Sequence, residues 1–147
     1  MKIKNLLLLS VLLFTIMLQA QDKKDKHEQI KALKVSFFTT ALDLTPDEAA
    51  KFWPIYNAYD EKQFKIRHEK MRPILKQMKD DGLDKMSAKE AEANLAKLEA
   101  ADKELYNLKA KLIDDLKPVI GPIKILKLKK AEEDFKQKLL EQFKKKE

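Results

Sequence analysis

The stretch LTPDEAAKFWPIYNAYDEK, Leu44 to Lys62, decides the fold. Thr45 is a side-chain oxygen placed where a helix would begin, and Pro46 fits the first helical position, where a missing N–H costs nothing. Glu48 stands three residues after Thr45 and completes a capping box, in which each residue closes an orphan amide of the other. Leu44, just ahead of the cap, can serve as a hydrophobic staple toward Ala49. Beyond the cap, Ala49, Phe52, Tyr56 and Tyr59 recur at spacings of three and four, the signature of one buried helical face.

Outward from this start, the chain keeps the same period. The helix opened by Thr45 is expected to run to about Lys79, with Met71, Leu75 and Met78 as a second stripe. Such a helix would be a rod of roughly 50 Å. Pro54 and Pro73 fall inside it and are expected to bend it, or, at Pro73, to end one helix and start another. An earlier helix is expected from about His27 to Asp43, with Ile30, Leu33, Phe37 and Ala41 on its inner face. Asp80, Asp81 and Gly82 break the pattern. Ser87 and Glu90 form a second capping box, and the third helix buries Ala91, Leu95, Leu98, Leu105, Leu108 and Leu112, with Asp102 interrupting the stripe. Pro118, Gly121 and Pro122 mark a boundary before a fourth helix carrying Leu128, Ala131, Phe135, Leu139 and Phe143. No segment alternates in the manner of a strand. The expected fold is therefore all-α, an elongated, curved bundle of about four helices. Thin helices bury little of their surface, so completion of the core by an intertwined or antiparallel homodimer is expected.

Composition agrees. Charged residues make up 37% of the 147-residue chain, only two glycines occur, and the formal net charge is +7. There is no cysteine, which removes disulfides, thiolate nucleophiles and thiolate metal sites. The N-terminus has the layout of a signal peptide: basic Lys2 and Lys4, an apolar run from Leu6 to Leu18, and small Ala20 before a cut. That run is too short to span a bilayer. Residues 1–20 are thus expected to be removed on export to the periplasm, leaving residues 21–147 as a single helical domain with no stable membrane span.

Chemistry is sparse. His27 and His68 are the only histidines, and a lone His68 beside Glu69 and Met71 does not make a ligand set, which needs three or four converging donors. Asp114 and Asp115 are adjacent on a helix and point about 100° apart, so they form no acid–base pair. No phosphate-binding glycine loop and no Ser-His-Asp arrangement is present. No catalytic, cofactor or metal residues are assigned, and the chain is expected not to be an enzyme. A basic surface attracts acidic partners, anionic lipid headgroups or nucleic acid, and in an exported protein nucleic acid is the least favoured of these. The best candidates for binding such partners are Phe38 and Trp53, which lie off the apolar stripes, with Lys51, Lys62 and Lys65 around them; Phe37, Tyr56 and Tyr59 fit a core as readily.

Leu44-Thr45-Pro46-Asp47-Glu48 resembles the LTxxQ signature of the Spy/CpxP-like periplasmic proteins, with Glu48 in place of the glutamine. The continuation AAKFWPIYNAYDEK is similar to the Bacteroidetes branch of that family, described as sensors of ECF-type sigma factors. The family's second motif corresponds here to Ile120-Gly121-Pro122-Ile123-Lys124, which keeps an apolar residue and the proline but lacks the threonine and glutamine. Ala131-Glu132-Glu133-Asp134-Phe135 also looks like that branch. The resemblance implies a thin, curved, helical dimer whose motif residues Leu44, Thr45, Pro46 and Glu48 are structural. It implies an ATP-independent chaperone holding unfolded or partly folded envelope proteins on a basic and apolar surface. The alternative it carries is a regulatory or sensory protein acting with a partner in an envelope stress or ECF sigma factor pathway.

Overall fold

The computed structural model describes residues 28–144, and every regular element in them is helical. The expected signal peptide, His27 and the last three residues lie outside the described residues. Helix α1 covers residues 28–42, α2 runs Pro46–Lys65, a π-helical segment follows at Ile66–Met71, α3 runs Arg72–Gln77, and α4 runs Ala88–Lys144. The chain forms two compact units: residues up to Asp43 with those from Leu128 onward, and Leu44–Lys127.

The first unit is built on aromatic packing. Phe38 and Leu42 of α1 are buried, as are Leu128, Ala131 and Phe135 of α4. Phe135 lies 5.6 Å from Phe37 and 5.9 Å from Phe38, edge-on to the latter. The inner face of α1 is therefore rotated from the one expected: Leu33 is 50% exposed and Ala41 is exposed. The reason is size. Phe38 has Leu42 four residues on, whereas Phe37 has only Ala41, so turning the Phe38 side inward removes more apolar area from water.

The second unit is an antiparallel helical hairpin. Gln77 meets Asn94, Lys70 meets Glu104, Tyr59 meets Lys109 and Glu48 meets Lys124, so positions rise on one arm as they fall on the other. Its core is Phe52, Tyr56, Tyr59, Ile66 and Ile74 from the first arm and Ala101, Leu112, Leu116, Ile120 and Ile125 from the second. Phe52 stacks on Tyr56 at 5.4 Å, and Tyr56 lies 5.8 Å from Tyr59. Of the expected α4 stripe only Leu112 is buried; Ala91, Leu98, Leu105 and Leu108 are half-buried, Leu95 is exposed, and Ala101 takes a core place beside exposed Asp102.

Two backbone irregularities keep these faces aligned. Ile66 and Ile74 are eight residues apart, which in a pure α-helix would separate them by about 80°. The π turn absorbs one extra residue, and the amide of Arg72 donates to the carbonyl of Arg67, so both isoleucines reach the same core. It also lies directly before Pro73, whose ring would crowd the preceding α turn. At the other irregularity, the expected boundary between third and fourth helices is not a loop. The helical run of α4 passes through Pro118 and Pro122, and only Gly121 leaves it, at φ 74 and ψ 168. Gly121 ends one helical stretch of this arm and Pro122 opens the next stretch, where its absent N–H is harmless.

Asp43 and Asp80 take left-handed conformations after α1 and α3, as a short polar side chain tolerates. Gly82 closes the turn, donating its amide to Lys79 at 3.0 Å, and passes so near the Gln77 carbonyl that a Cβ there would lie 1.9 Å from that oxygen. Gly121 occupies a region of backbone space reserved for glycine although nothing surrounds its missing side chain. Gly121→Ala is therefore expected to lower stability by about 1–3 kcal/mol through backbone strain alone, read from urea denaturation. An unchanged midpoint would show that the kink is not held in that conformation.

Candidate functional site: a lysine-rimmed groove

The candidate site lies in the helical hairpin and begins with its caps. At the start of α2 the Glu48 amide donates to Thr45 Oγ1 at 3.2 Å, and the Thr45 amide donates to Glu48 Oε2 at 2.9 Å. The capping box expected of Thr45, Pro46 and Glu48 is complete, with Leu44 and Ala49 both half-buried. The same Glu48 oxygen accepts from Lys124 Nζ at 2.6 Å. Lys124 belongs to Ile120–Lys124, so the second, degenerate motif is tied to the first through one carboxylate. Lys124 and the Thr45 amide hold Glu48 below the usual carboxylate range. At the start of α4 the Ser87 amide donates to Glu90 at 3.0 Å and the Glu90 amide to Ser87 Oγ at 3.3 Å. The Ser87 hydroxyl and amide lower the Glu90 pKa in the same way.

Between these caps, an open groove of about 440 Å³ runs along the hairpin. Ile66 and Leu108 form its apolar floor, and Lys62, Lys65, Lys70 and Lys111 its rim, with Glu69, Glu104 and Asn107. Lys70 reaches across to Glu104 at 2.5 Å; beyond that bridge the cleft continues between Pro73, Ile74 and Gln77 on one side and Lys97, Ala100 and Ala101 on the other. Lys65 pairs with Glu61 at 3.3 Å and Lys111 with Asp115 at 2.8 Å. These are exposed pairs worth little each, so their ammonium groups exchange partners readily. Lys62 has no ion pair among the described residues.

The structure separates the residues singled out from the sequence. Lys62 and Lys65 are exposed and stand together on the groove rim. Lys51 is exposed but does not line the groove. Trp53 is half-buried, packed edge-on to Phe52 at 4.9 Å and to Tyr56 at 6.0 Å, and extends the aromatic core. Phe38 is not a surface residue: at 1% exposure it is core in the first unit. The expectation that residues off the apolar stripe would be exposed fails there because the stripe itself is rotated. Leu108 and Lys111 were not singled out from the sequence as binding residues, and Lys124 only as the last position of the degenerate second motif. Leu108 left a signal as part of a core stripe; Lys111 is indistinguishable in sequence from the other cations of a lysine-rich chain.

Phe64 stacks on His68 at 5.2 Å. No three His, Asp or Glu side chains converge as a metal site among the described residues, and no helix there is long and apolar enough to cross a membrane. No family model, curated protein or solved structure matches the chain.

Because the folded Glu48 carboxyl titrates below its unfolded counterpart, its contacts stabilise the fold fully above the usual carboxylate range. That contribution is lost as pH falls through the lowered folded value. Glu48→Gln keeps an acceptor for the Thr45 amide but removes the charge facing Lys124. The variant is expected to melt below wild type at neutral pH and to converge with it only in acid, as pH falls through the lowered folded value of Glu48. A gap that persists in acid would mean the carboxylate charge is not what holds Lys124.

Proposed function

We propose that the chain is an exported, ATP-independent chaperone-like protein that holds unfolded or stressed envelope proteins in the lysine-rimmed groove. The observation that carries this reading is the groove itself: Ile66 and Leu108 offer apolar contact, and Lys62, Lys65, Lys70 and Lys111 surround it with positive charge. Exposed chains present apolar side chains that a folded protein hides, and acidic ones are drawn to such a rim at long range. The weak surface pairs of Lys65 and Lys111 can be exchanged for client carboxylates at small cost. An open groove suits clients of varied sequence, since it demands no single shape.

The motif resemblance supports the same reading, as does the expected export signal. The proposal includes periplasmic action and the family's assembly, a curved homodimer with about four helices in each chain. Large apolar side chains left in water, such as Tyr106 and Ile123, give a second copy something to cover. In this proposal the capping boxes build the hairpin and take no part in binding.

The test is aggregation of several denaturing clients, followed by light scattering without nucleotide, at low and high salt. Suppression is expected at near-stoichiometric protein and to weaken as salt rises. Lys62→Gln with Lys65→Gln should raise the amount of protein needed several-fold while leaving the thermal melt unchanged. Unimpeded aggregation of every client at low salt would sink the chaperone reading, and recovery of one specific envelope partner would move it to a sensor.

A further inference from the structure

The π segment and α3 carry a second charged surface, on a different side from the groove. Both arginines of the chain, Arg67 and Arg72, lie here, with Lys76 and Lys79 following. All four are exposed, and none has an ion pair among the described residues. Phe64 and Leu75 are exposed beside them, at 49% and 48%.

The π turn is what assembles this surface. Counting about 100° per residue and one residue absorbed by the wider turn, the five helical positions from Phe64 to Lys76 fall within roughly a third of the helix circumference, and Lys79 follows in the turn after α3. In an unbroken α-helix the same positions would spread over about half the circumference, with Lys76 about 180° from Arg67. The turn that brings Ile66 and Ile74 to one core thus also gathers the cations on the opposite side. Glu69, the one acid between Lys62 and Lys79, lines the groove instead.

We propose that this outward face, carrying Phe64, Arg67, Arg72, Leu75, Lys76 and Lys79, docks the protein on a bilayer surface rich in anionic phospholipid headgroups. Three features select that partner. From Phe64 to Lys79 the face has four cations and no acid, and Asp60, one turn earlier, already accepts from Gln63, so the face complements a uniformly negative surface better than a mixed one. None of its six residues lines the cleft, so it offers a flat or convex contact and no slot for a peptide. Two guanidinium groups suit phosphate oxygens, and Phe64 and Leu75 can enter the headgroup boundary as the apolar side of an interfacial helix does. The inference stands apart from the groove: loss of client binding would not touch it.

The experiment is sedimentation of the full chain with vesicles of phosphatidylcholine alone and with about one third phosphatidylglycerol. The quantity read is the ratio of binding to anionic over neutral vesicles. Residues 1–20 are common to every variant, so their apolar contribution cancels in comparisons. Wild type is expected to favour anionic vesicles strongly at low salt and much less at high salt. Arg67→Gln with Arg72→Gln should lower the ratio roughly 30-fold, and Lys76→Gln with Lys79→Gln by a similar factor. The control pair Lys103→Gln and Lys117→Gln, exposed on α4, removes the same charge and should change the ratio by less than about twofold. Circular dichroism checks that each variant keeps its helix content. Equal losses in control and test pairs would overturn the proposal in favour of bulk charge. So would absent preference for anionic vesicles, or binding to soluble polyglutamate that competes fully with them, which would point to an acidic protein.

Discussion

A helix can bury an apolar stripe only if that stripe stays on one side, and in the first arm of the hairpin the sequence spacing slips by one residue between Ile66 and Ile74. Everything in the second unit depends on how that slip is absorbed. A straight α-helix would turn Ile74 out of the core, at a cost of about 2 kcal/mol for a fully exposed isoleucine. A π turn instead gives up one turn's ideal hydrogen bonding and restores the face. Pro73, which would crowd an α turn in any case, reduces the loss by making the ideal arrangement unavailable there. The irregularity is thus the arrangement that lets two otherwise incompatible local demands, the proline's and the isoleucine's, be met together.

The second arm solves a similar problem by a different route. Pro118 and Pro122 each lack a donor, and a continuous α-helix through both would leave strained, unpaired carbonyls. A single glycine conformation at Gly121 resets the helix, and Ile120 and Ile125 remain buried on either side of it. The reset also puts Lys124 within reach of Glu48, so a carboxylate already engaged in capping α2 gains a cation from the opposing arm. Local and long-range demands meet on one oxygen. A charge-assisted bond shielded from much of the solvent holds position better than the exposed i, i+4 pairs along α4, such as Lys130 with Asp134.

Local structure was legible in the sequence wherever a single turn of chain determined it. Both capping boxes follow from residues three apart, and Asp80–Gly82 announces its turn by composition. What spans two arms was not legible. The α1 face could be drawn through Phe37 or Phe38, because adjacent aromatics fit either choice until Leu42 and Phe135 decide between them. The π turn is implicit in the eight-residue interval from Ile66 to Ile74, but an interval becomes a fault only once both ends are known to be buried. The groove was half visible: Lys62 and Lys65 drew notice as cations near aromatics, while Leu108 and Lys111 lie more than forty residues away and join them only through the hairpin.

The two lysine-bearing surfaces differ in a way that net charge conceals. On the groove rim, cations alternate with Glu69 and Glu104, and most ammonium groups already hold a carboxylate. Such a surface exchanges pairs at little net cost, so its field is short-ranged and its selectivity low. On the outer face of the π segment and α3, four cations stand without a carboxylate, and their fields add. Salt should therefore weaken attraction to the outer face more steeply than contact in the groove, whose apolar floor is indifferent to screening. A single turn of backbone, widened by one residue, divides the charges of this arm between those two behaviours.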